Sequence, residues 1–391
     1  MSAPLRVGLN LAYLVEDSGG SGRYARELIA AMLQLEPATE ITAWVGSTAP
    51  ASLFEEPWAQ EVRWERLPVP GIGTPWHLFY ELGAIGLAAR RRRLDVIHGL
   101  ANLVPVVAPG VASLVTILDV IWMHYPEAMN TRARVVMRTL APLCGHSARR
   151  VIAISEAAAE DVSTMLHIPR RKFDVTPLGM TPPRPGLERS GEAEMRQRLG
   201  LRDGPLLLCV AAKRAHKNLD GLIRALAALP AEVCEPHRPL LVLPGSPTDY
   251  ERELRSLAAE LGVEGDVAFP AWVEESDLEA LYAAAAAFVL PSFQEGFGLP
   301  VLEAMARGVP VACSDASSLP EVAGDAALLF DPGSVASIAA QLTRLLGDET
   351  LAADLARRGP LRAQQFTWTR TAELTLQSYR KALRGTRGSE A

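Results

Sequence analysis

The chain has 391 residues, 49% hydrophobic and 21% charged, a balance that excludes a disordered protein and, at this length, predicts two cores rather than one. Lys and Arg number 39 against 45 Asp and Glu, a formal net charge of −6, which argues against a nucleic-acid binder, where a basic face is expected. The four cysteines, Cys144, Cys209, Cys234 and Cys313, form no C-x-x-C pair and no zinc-ligand spacing, and read as reduced core thiols.

In chain order, MSAPLRVGLNLAYLVEDSGG carries one Arg and no small-residue cleavage signature before an early turn, so it reads as a first strand rather than a signal peptide. LRVGLNL, ITAWVG, DVIHGL, SLVTILD and RVIAIS read as strands, and GRYARELIAAMLQL as an amphipathic helix with Tyr24, Leu28, Ala31, Met32 and Leu35 near helical spacing. The second half repeats the rhythm: PLLLCVAA, NLDGLIRALAAL, RPLLVLPG, YERELRSLAAELG, DVAFPAW, SDLEALYAAAAA, AFVLPS, LPVLEAMARG, VPVACSD and AALLFD. The longest apolar run, LEALYAAAAAFVLPSF, is Ala-rich and holds Glu279; it reads as a helix running into a strand, not a membrane span. A cytoplasmic location is the expectation. Alternating strands and helices imply right-handed βαβ units and parallel sheets. The Pro- and Gly-rich LGMTPPRPGLERSGEAE is the best linker. It divides a domain of residues 1–185 from one of residues 186–367. The final amphipathic helix, about 368–391, could cap either.

In open parallel sheets ligands sit at the carboxyl ends of strands, so the chemistry belongs in the loops that follow them. PSFQEGFGLPVLEAMARGVP is a strand end, a glycine loop and a helix that begins at Pro300 and ends at Gly308. Gly296 and Gly298 let backbone N–H groups approach a ligand, and the helix N-terminus favours an anion. Glu295 on the loop and Glu303 a turn into the helix suit two sugar diols. The plain alternative, a glycine turn with a solvated and a capping acid, fits a lone G-x-G better than this whole string. AAKRAHKNLDGL places Lys213, Arg214 and Lys217 after a strand, as a solvated basic turn or as cations for a diphosphate. DSGGSGRYARELI brings Gly20, Gly22 and Arg23 after the first strand, a weak signal for a phosphate or acceptor loop. His98 follows a strand, where a lone His is more often structural. RRRR at 90–93 and RARVVMRTLAPLCGHSARR are solvated basic faces or a membrane-facing surface.

EGFGLPVLE resembles the E-x7-E motif of the family 4 retaining glycosyltransferases, and AMARGVPVACSDASSLPEVAGDAALLFDP resembles their mannosyltransferase-like branch. The resemblance implies the GT-B fold: an α/β protein of two Rossmann-like, doubly wound parallel-sheet domains facing a central cleft. The N-terminal one would take the acceptor, joined by the C-terminal helix, and the C-terminal one the nucleotide-sugar donor. It implies that Glu295 binds the transferred sugar and Glu303 the nucleotide ribose. Lys217, with Lys213 or Arg214, would neutralise the leaving diphosphate. Gly296, Phe297, Gly298 and Leu299 would line the donor, and Gly20, Gly22 and Arg23 correspond to the family's GIGRY loop. The strand end TILD matches a T-x-H-D pattern with Asp119 retained and Leu118 in place of His, a neutral variation or a more apolar pocket suited to a 6-deoxyhexose. Glu295, Lys217, Asp119 and His98 are the catalytic candidates. No cofactor and no metal are expected. Partners would be the nucleotide sugar, GDP-mannose first and UDP- or dTDP-hexoses behind it, and a glycan, lipid-linked or small-molecule acceptor, with no nucleic acid. Contact with the inner face of a membrane stays open. A sugar-nucleotide epimerase using His98 and Glu295, and a non-catalytic nucleotide-sugar binder, are the alternatives.

Overall fold

The structure is a computed structural model that describes residues 4–16, 19–68, 79–182, 191–271 and 273–387. Residues 183–190 of the linker read from the sequence, and with them the 185/186 boundary, lie outside these residues, and its last residues, Glu192 to Glu194, open a helix instead. The chain forms two compact units, Met1–Gly179 with Thr367–Ala391, and Met180–Phe366.

Unit 1 holds a seven-stranded sheet in the order β3-β2-β1-β4-β5-β6-β7, all parallel. Its strands are β1 (Arg6–Leu11), β2 (Glu40–Val45), β3 (Val62–Arg66), β4 (Val96–Gly99), β5 (Ala112–Thr116), β6 (Arg150–Ala153) and β7 (Phe173–Val175). The central strands are near-continuous apolar runs because helices cover both faces. Edge strands β3 and β7 were not foreseen. VRWER holds three charged residues and one buried position, and FDV is only three residues long, so neither reads as buried strand.

Helix α1 (Gly19–Leu35) buries Tyr24, Leu28, Ala31 and Met32 on one stripe. The C-terminal helix (Trp368–Arg387) belongs to this unit, packing on α1, β5 and β6. Its buried stripe runs Trp368, Ala372, Leu376, Tyr379 and Ala382, the helical period of an apolar face. Ion pairs of Lys381 with Asp174 and of Arg380 with Glu36 tie down its outer side.

Unit 2 has a six-stranded sheet in the order β10-β9-β8-β11-β12-β13, again parallel throughout. Its strands are β8 (Leu206–Leu208), β9 (Leu240–Val242), β10 (Val267–Ala268), β11 (Ala285–Leu290), β12 (Val311–Ser314) and β13 (Leu328–Phe330). In each sheet the order reverses beside the first strand, between β1 and β4 and between β8 and β11. These are the switch points at whose carboxyl edge open α/β sheets bind ligands.

Candidate functional site

The two loops that leave the β8/β11 switch point are stitched together. The Phe293 N–H donates to His216 O at 2.9 Å. Asn218 Nδ2 donates to Pro291 O at 3.1 Å and to Pro332 O at 2.7 Å. Asn218 takes a left-handed φ of 53°, which its residue type tolerates, just ahead of the helix Leu219–Ala227. A Cβ on Gly221 would come within 2.4 Å of the Asn218 side chain, so glycine there leaves room for the amide to lie across the helix start.

On this frame Lys217 Nζ meets both carboxylate oxygens of Glu295 at 2.8 Å, the two side chains being 15% and 11% exposed. Ser292 Oγ donates to Glu295 Oε1 at 2.7 Å. Satisfiability then limits what the pair can still do. An ammonium has three donors, of which two are used, and a carboxylate has about four acceptor positions, of which three are used. One donor and one acceptor remain beside each other, the donor suited to a phosphate oxygen and the acceptor to a sugar hydroxyl.

Gly298 precedes the helix Leu299–Ala306 with φ at 111°, and Pro300 occupies its first turn. Such a φ is open to glycine and strained for other residues. Glu303 lies in that helix, 9% exposed. Its Oε2 accepts from Tyr282 Oη at 3.1 Å. Tyr282 is itself fixed by stacking on Phe288 and by the Arg307 guanidinium 4.9 Å from its ring centre. Arg307 in turn is held by Glu279 and donates to Glu303 O at 2.9 Å.

The remaining predicted residues fall in different places. Arg214 is exposed at the loop. Lys213 does not join the cluster: its side chain is 0% exposed, 3.1 Å from Glu251 Oε2, and donates to Gly245 O at 2.5 Å. Burial opposes the Glu251 charge, yet hydrogen bonds from Arg255 and Lys213 hold its carboxyl below the usual range. Lys213 therefore spends its charge inside the unit. Phe297 turns its ring against Phe366, 5.8 Å between centroids, so its side chain anchors the loop and only its backbone is offered. His216, 5% exposed, is pushed down to about 4 by burial and the Lys217 charge, and stays neutral beside the cation.

In unit 1, Gly20, Gly22 and Arg23 lie in the first turns of α1, not in a loop; Asp17 and Ser18 of the same motif are outside the described residues. Gly22 is buried and Gly20 and Arg23 are exposed. Asp119 Oδ1 accepts from the Ile121 N–H at 3.1 Å, and the Leu118 N–H donates to Asn102 Oδ1 at 3.2 Å. His98 sits inside β4, not after it, and is 0% exposed. Its Nδ1 pairs with Tyr379 Oη at 2.9 Å and its Nε2 with Thr116 Oγ1 at 2.8 Å, and Tyr24 Oη closes the group on Thr116 at 3.0 Å. Burial lowers its pKa to about 3. With both nitrogens engaged, it welds the C-terminal helix to the sheet and has no nitrogen to offer a substrate.

Four residues around the site were not foreseen. Tyr282, Ser317 and Ser318 act through contacts made only in the fold. Ser292, three positions before Glu295, was open to detection as a short polar residue at a strand end. Among the described residues no group of three or more His, Cys, Asp or Glu could hold a metal ion, and no helix is long and apolar enough to cross a membrane.

Two doubly wound parallel sheets, one with a lysine–carboxylate pair and a glycine loop at its switch point, place the chain among the two-sheet nucleotide-binding α/β proteins. A "Glycosyl transferase 4-like domain" model matches residues 19–179 and a "Glycosyl transferases group 1" model residues 191–362, and the chain belongs to this glycosyltransferase family. The O-antigen chain mannosyltransferase B of Escherichia coli is 34% identical over 60% of this chain and 61% of its own length. The chain spans only 22% to 30% of the serotype-specific mannosyltransferases of that organism that it also matches. The D-inositol 3-phosphate glycosyltransferase of Streptomyces bingchenggensis is 31% identical over 81% of this chain and 69% of its own. Among solved structures, Anabaena HepE in complex with UDP-glucose superposes with a TM-score of 0.71 at 20% identity, over 96% of this chain and all of that one. This likeness establishes the GT-B fold.

Proposed function

We infer that the chain is a retaining glycosyltransferase that moves a hexose from a nucleotide sugar to a glycan or lipid-linked acceptor, without a metal. Unit 2 is the donor unit and unit 1 the acceptor unit. The observation that carries the reading is the Lys217–Glu295–Ser292 group at the β8/β11 switch point. It sets a cation and a carboxylate side by side where a diphosphate and its sugar would meet. Glu295 accepts from hydroxyls of the transferred sugar, Glu303 from the ribose, and Lys217 with Arg214 stabilises the leaving diphosphate. The anomeric carbon–phosphate oxygen bond breaks, the bond to the acceptor oxygen forms on the same face, and the acceptor proton passes to the departing phosphate.

GDP-mannose is the favoured donor, supported by the mannosyltransferase relatives; UDP-glucose, bound by HepE, is the rival. A soluble nucleotide-sugar donor favours action on the cytoplasmic side. Helix Thr131–Ser147 carries Val135 and Leu143, 59% and 48% exposed, with Arg132 and Arg138 also exposed, a combination that favours a lipid-linked acceptor at an anionic surface. The test is a thermal-shift and transfer panel of GDP-mannose, UDP-glucose and a dTDP-hexose, with Glu295→Ala beside the native chain. A specific donor raises the melting temperature, and the variant retains nucleoside diphosphate binding but not transfer. An altered sugar in the absence of acceptor would establish epimerisation instead. Unchanged transfer by the variant would remove Glu295 from its role.

A further inference from the structure

The segment after β12 moulds the Glu295 loop residue by residue. Ser317 Oγ donates to Glu295 O at 2.6 Å and accepts from the Glu295 N–H at 3.2 Å, so one hydroxyl satisfies both backbone groups of that residue. Ser318, 0% exposed, shares its proton between Phe297 O at 2.8 Å and Glu295 O at 3.1 Å. Leu319 is the packing neighbour of Gly298: a Cβ there would meet its Cδ2 at 2.6 Å. Three consecutive residues thus engage 295, 295 with 297, and 298 in order.

Ser317 holds a left-handed φ of 59°, a conformation that glycine adopts without cost and serine does not. A backbone held in a sparsely populated region points to a functional constraint at that residue. Here both side-chain hydrogen bonds go to the backbone of Glu295.

We propose that Ser317 and Ser318 are positioning residues for sugar transfer. Their hydroxyls fix the peptide units of Glu295–Phe297, so that the Glu295 carboxylate meets Lys217 and the loop amides hold one orientation. The proposal rests on the reading of Glu295 as the sugar-binding carboxylate.

Full-length Ser317→Gly and Ser318→Ala separate this role from simple support of the fold. Glycine relieves the backbone at 317 by about as much as the lost hydroxyl bonds cost, so Ser317→Gly changes the melting temperature little. It nonetheless exchanges the Glu295 amide, which donates to the Ser317 hydroxyl, about tenfold faster. It also loses about tenfold in kcat/KM with GDP-mannose or UDP-glucose, whichever donor the native chain uses, while GDP or UDP affinity moves less than about threefold. Ser318→Ala shifts exchange and kcat/KM in the same direction. Native-like exchange at the Glu295 amide in Ser317→Gly overturns the proposal, as does kcat/KM within about twofold of native or a loss of activity that merely follows a fall in melting temperature. If the native chain binds none of these donors, the glycosyltransferase reading fails, and the exchange measurement still decides whether the serines hold the loop.

Discussion

Removing Lys217 tests the centre of the site through two readouts. Its two hydrogen bonds to Glu295, both 2.8 Å, join side chains that are 15% and 11% exposed, so solvent replaces little of what is lost. Hydrogen bonds to charged groups contribute about 1.5–3 kcal/mol. Lys217→Ala leaves Glu295 with Ser292 as its remaining side-chain partner, and we expect a loss of about 2–3 kcal/mol. At about 2–4 °C per kcal/mol for a domain of unit 2's size, the melting temperature falls by roughly 5–10 °C. Glu295→Ala strands the cation and has a similar cost. The double variant then loses less than the sum, with a coupling of about 1–3 kcal/mol. In turnover, the role proposed for Lys217 at the leaving group predicts a kcat lower by about 10²–10³-fold. The assays are chemical denaturation of the four proteins and steady-state transfer with the donor found by the panel. Stability effects that add to within about 0.5 kcal/mol would show that the pair does not exist in solution. A Lys217→Ala kcat within about threefold of native would refute charge stabilisation.

Tyr282→Phe removes the hydroxyl that donates to Glu303; donor KM should rise several-fold with kcat nearly unchanged, and an equal fall in kcat would tie Glu303 to the chemical step instead. Lys213→Ala leaves the buried Glu251 facing only Arg255 and should cost about 3 kcal/mol or more by denaturation; a change under about 0.5 kcal/mol would contradict the buried pairing. His98 titrates at about 3 when folded against an ordinary 6.5. The unfolded chain therefore binds the extra proton between those values, and stability present above pH 6.5 is lost on acidification at about 1.4 kcal/mol per pH unit, a slope that His98→Asn should flatten. Glu81, buried beside Asn10, is raised by burial to about 7 from 4.5. The stability it contributes is complete below pH 4.5 and is lost as pH rises through 7, so Glu81→Gln should gain about 3 kcal/mol at pH 8 relative to pH 4. A pH-independent difference would refute that burial.

The alternating rhythm, the parallel sheets and the glycine loop ahead of Pro300 were legible because each is written locally, as an apolar run, a period or a spacing. The distinction between Lys213 and Lys217 was not. Four positions apart in one basic turn, they are separated by Glu251 and Glu295, which stand 38 and 78 residues from their partners. The same limit hid Tyr282 and the serine pair, whose hydroxyls find their acceptors only after β11 and β12 align. For His98 the structural reading favoured for a lone histidine is the one the fold shows, but its partner, Tyr379, 281 positions away, could not be read from the sequence. The extent of β3 escaped because an edge strand with charged residues outward has no buried period to read.

The first unit is assembled from both ends of the described chain, with the second inserted as one continuous segment. During synthesis, the inserted segment is complete before the last helix has left the ribosome. Until then the groove between α1, β5 and β6 that receives Trp368, Leu376 and Tyr379 is uncovered, and His98 Nδ1 lacks its hydroxyl partner, Tyr379. The later-made middle can therefore settle first, while the earlier-made beginning waits for its closing piece, an interval in which its apolar groove is exposed to aggregation.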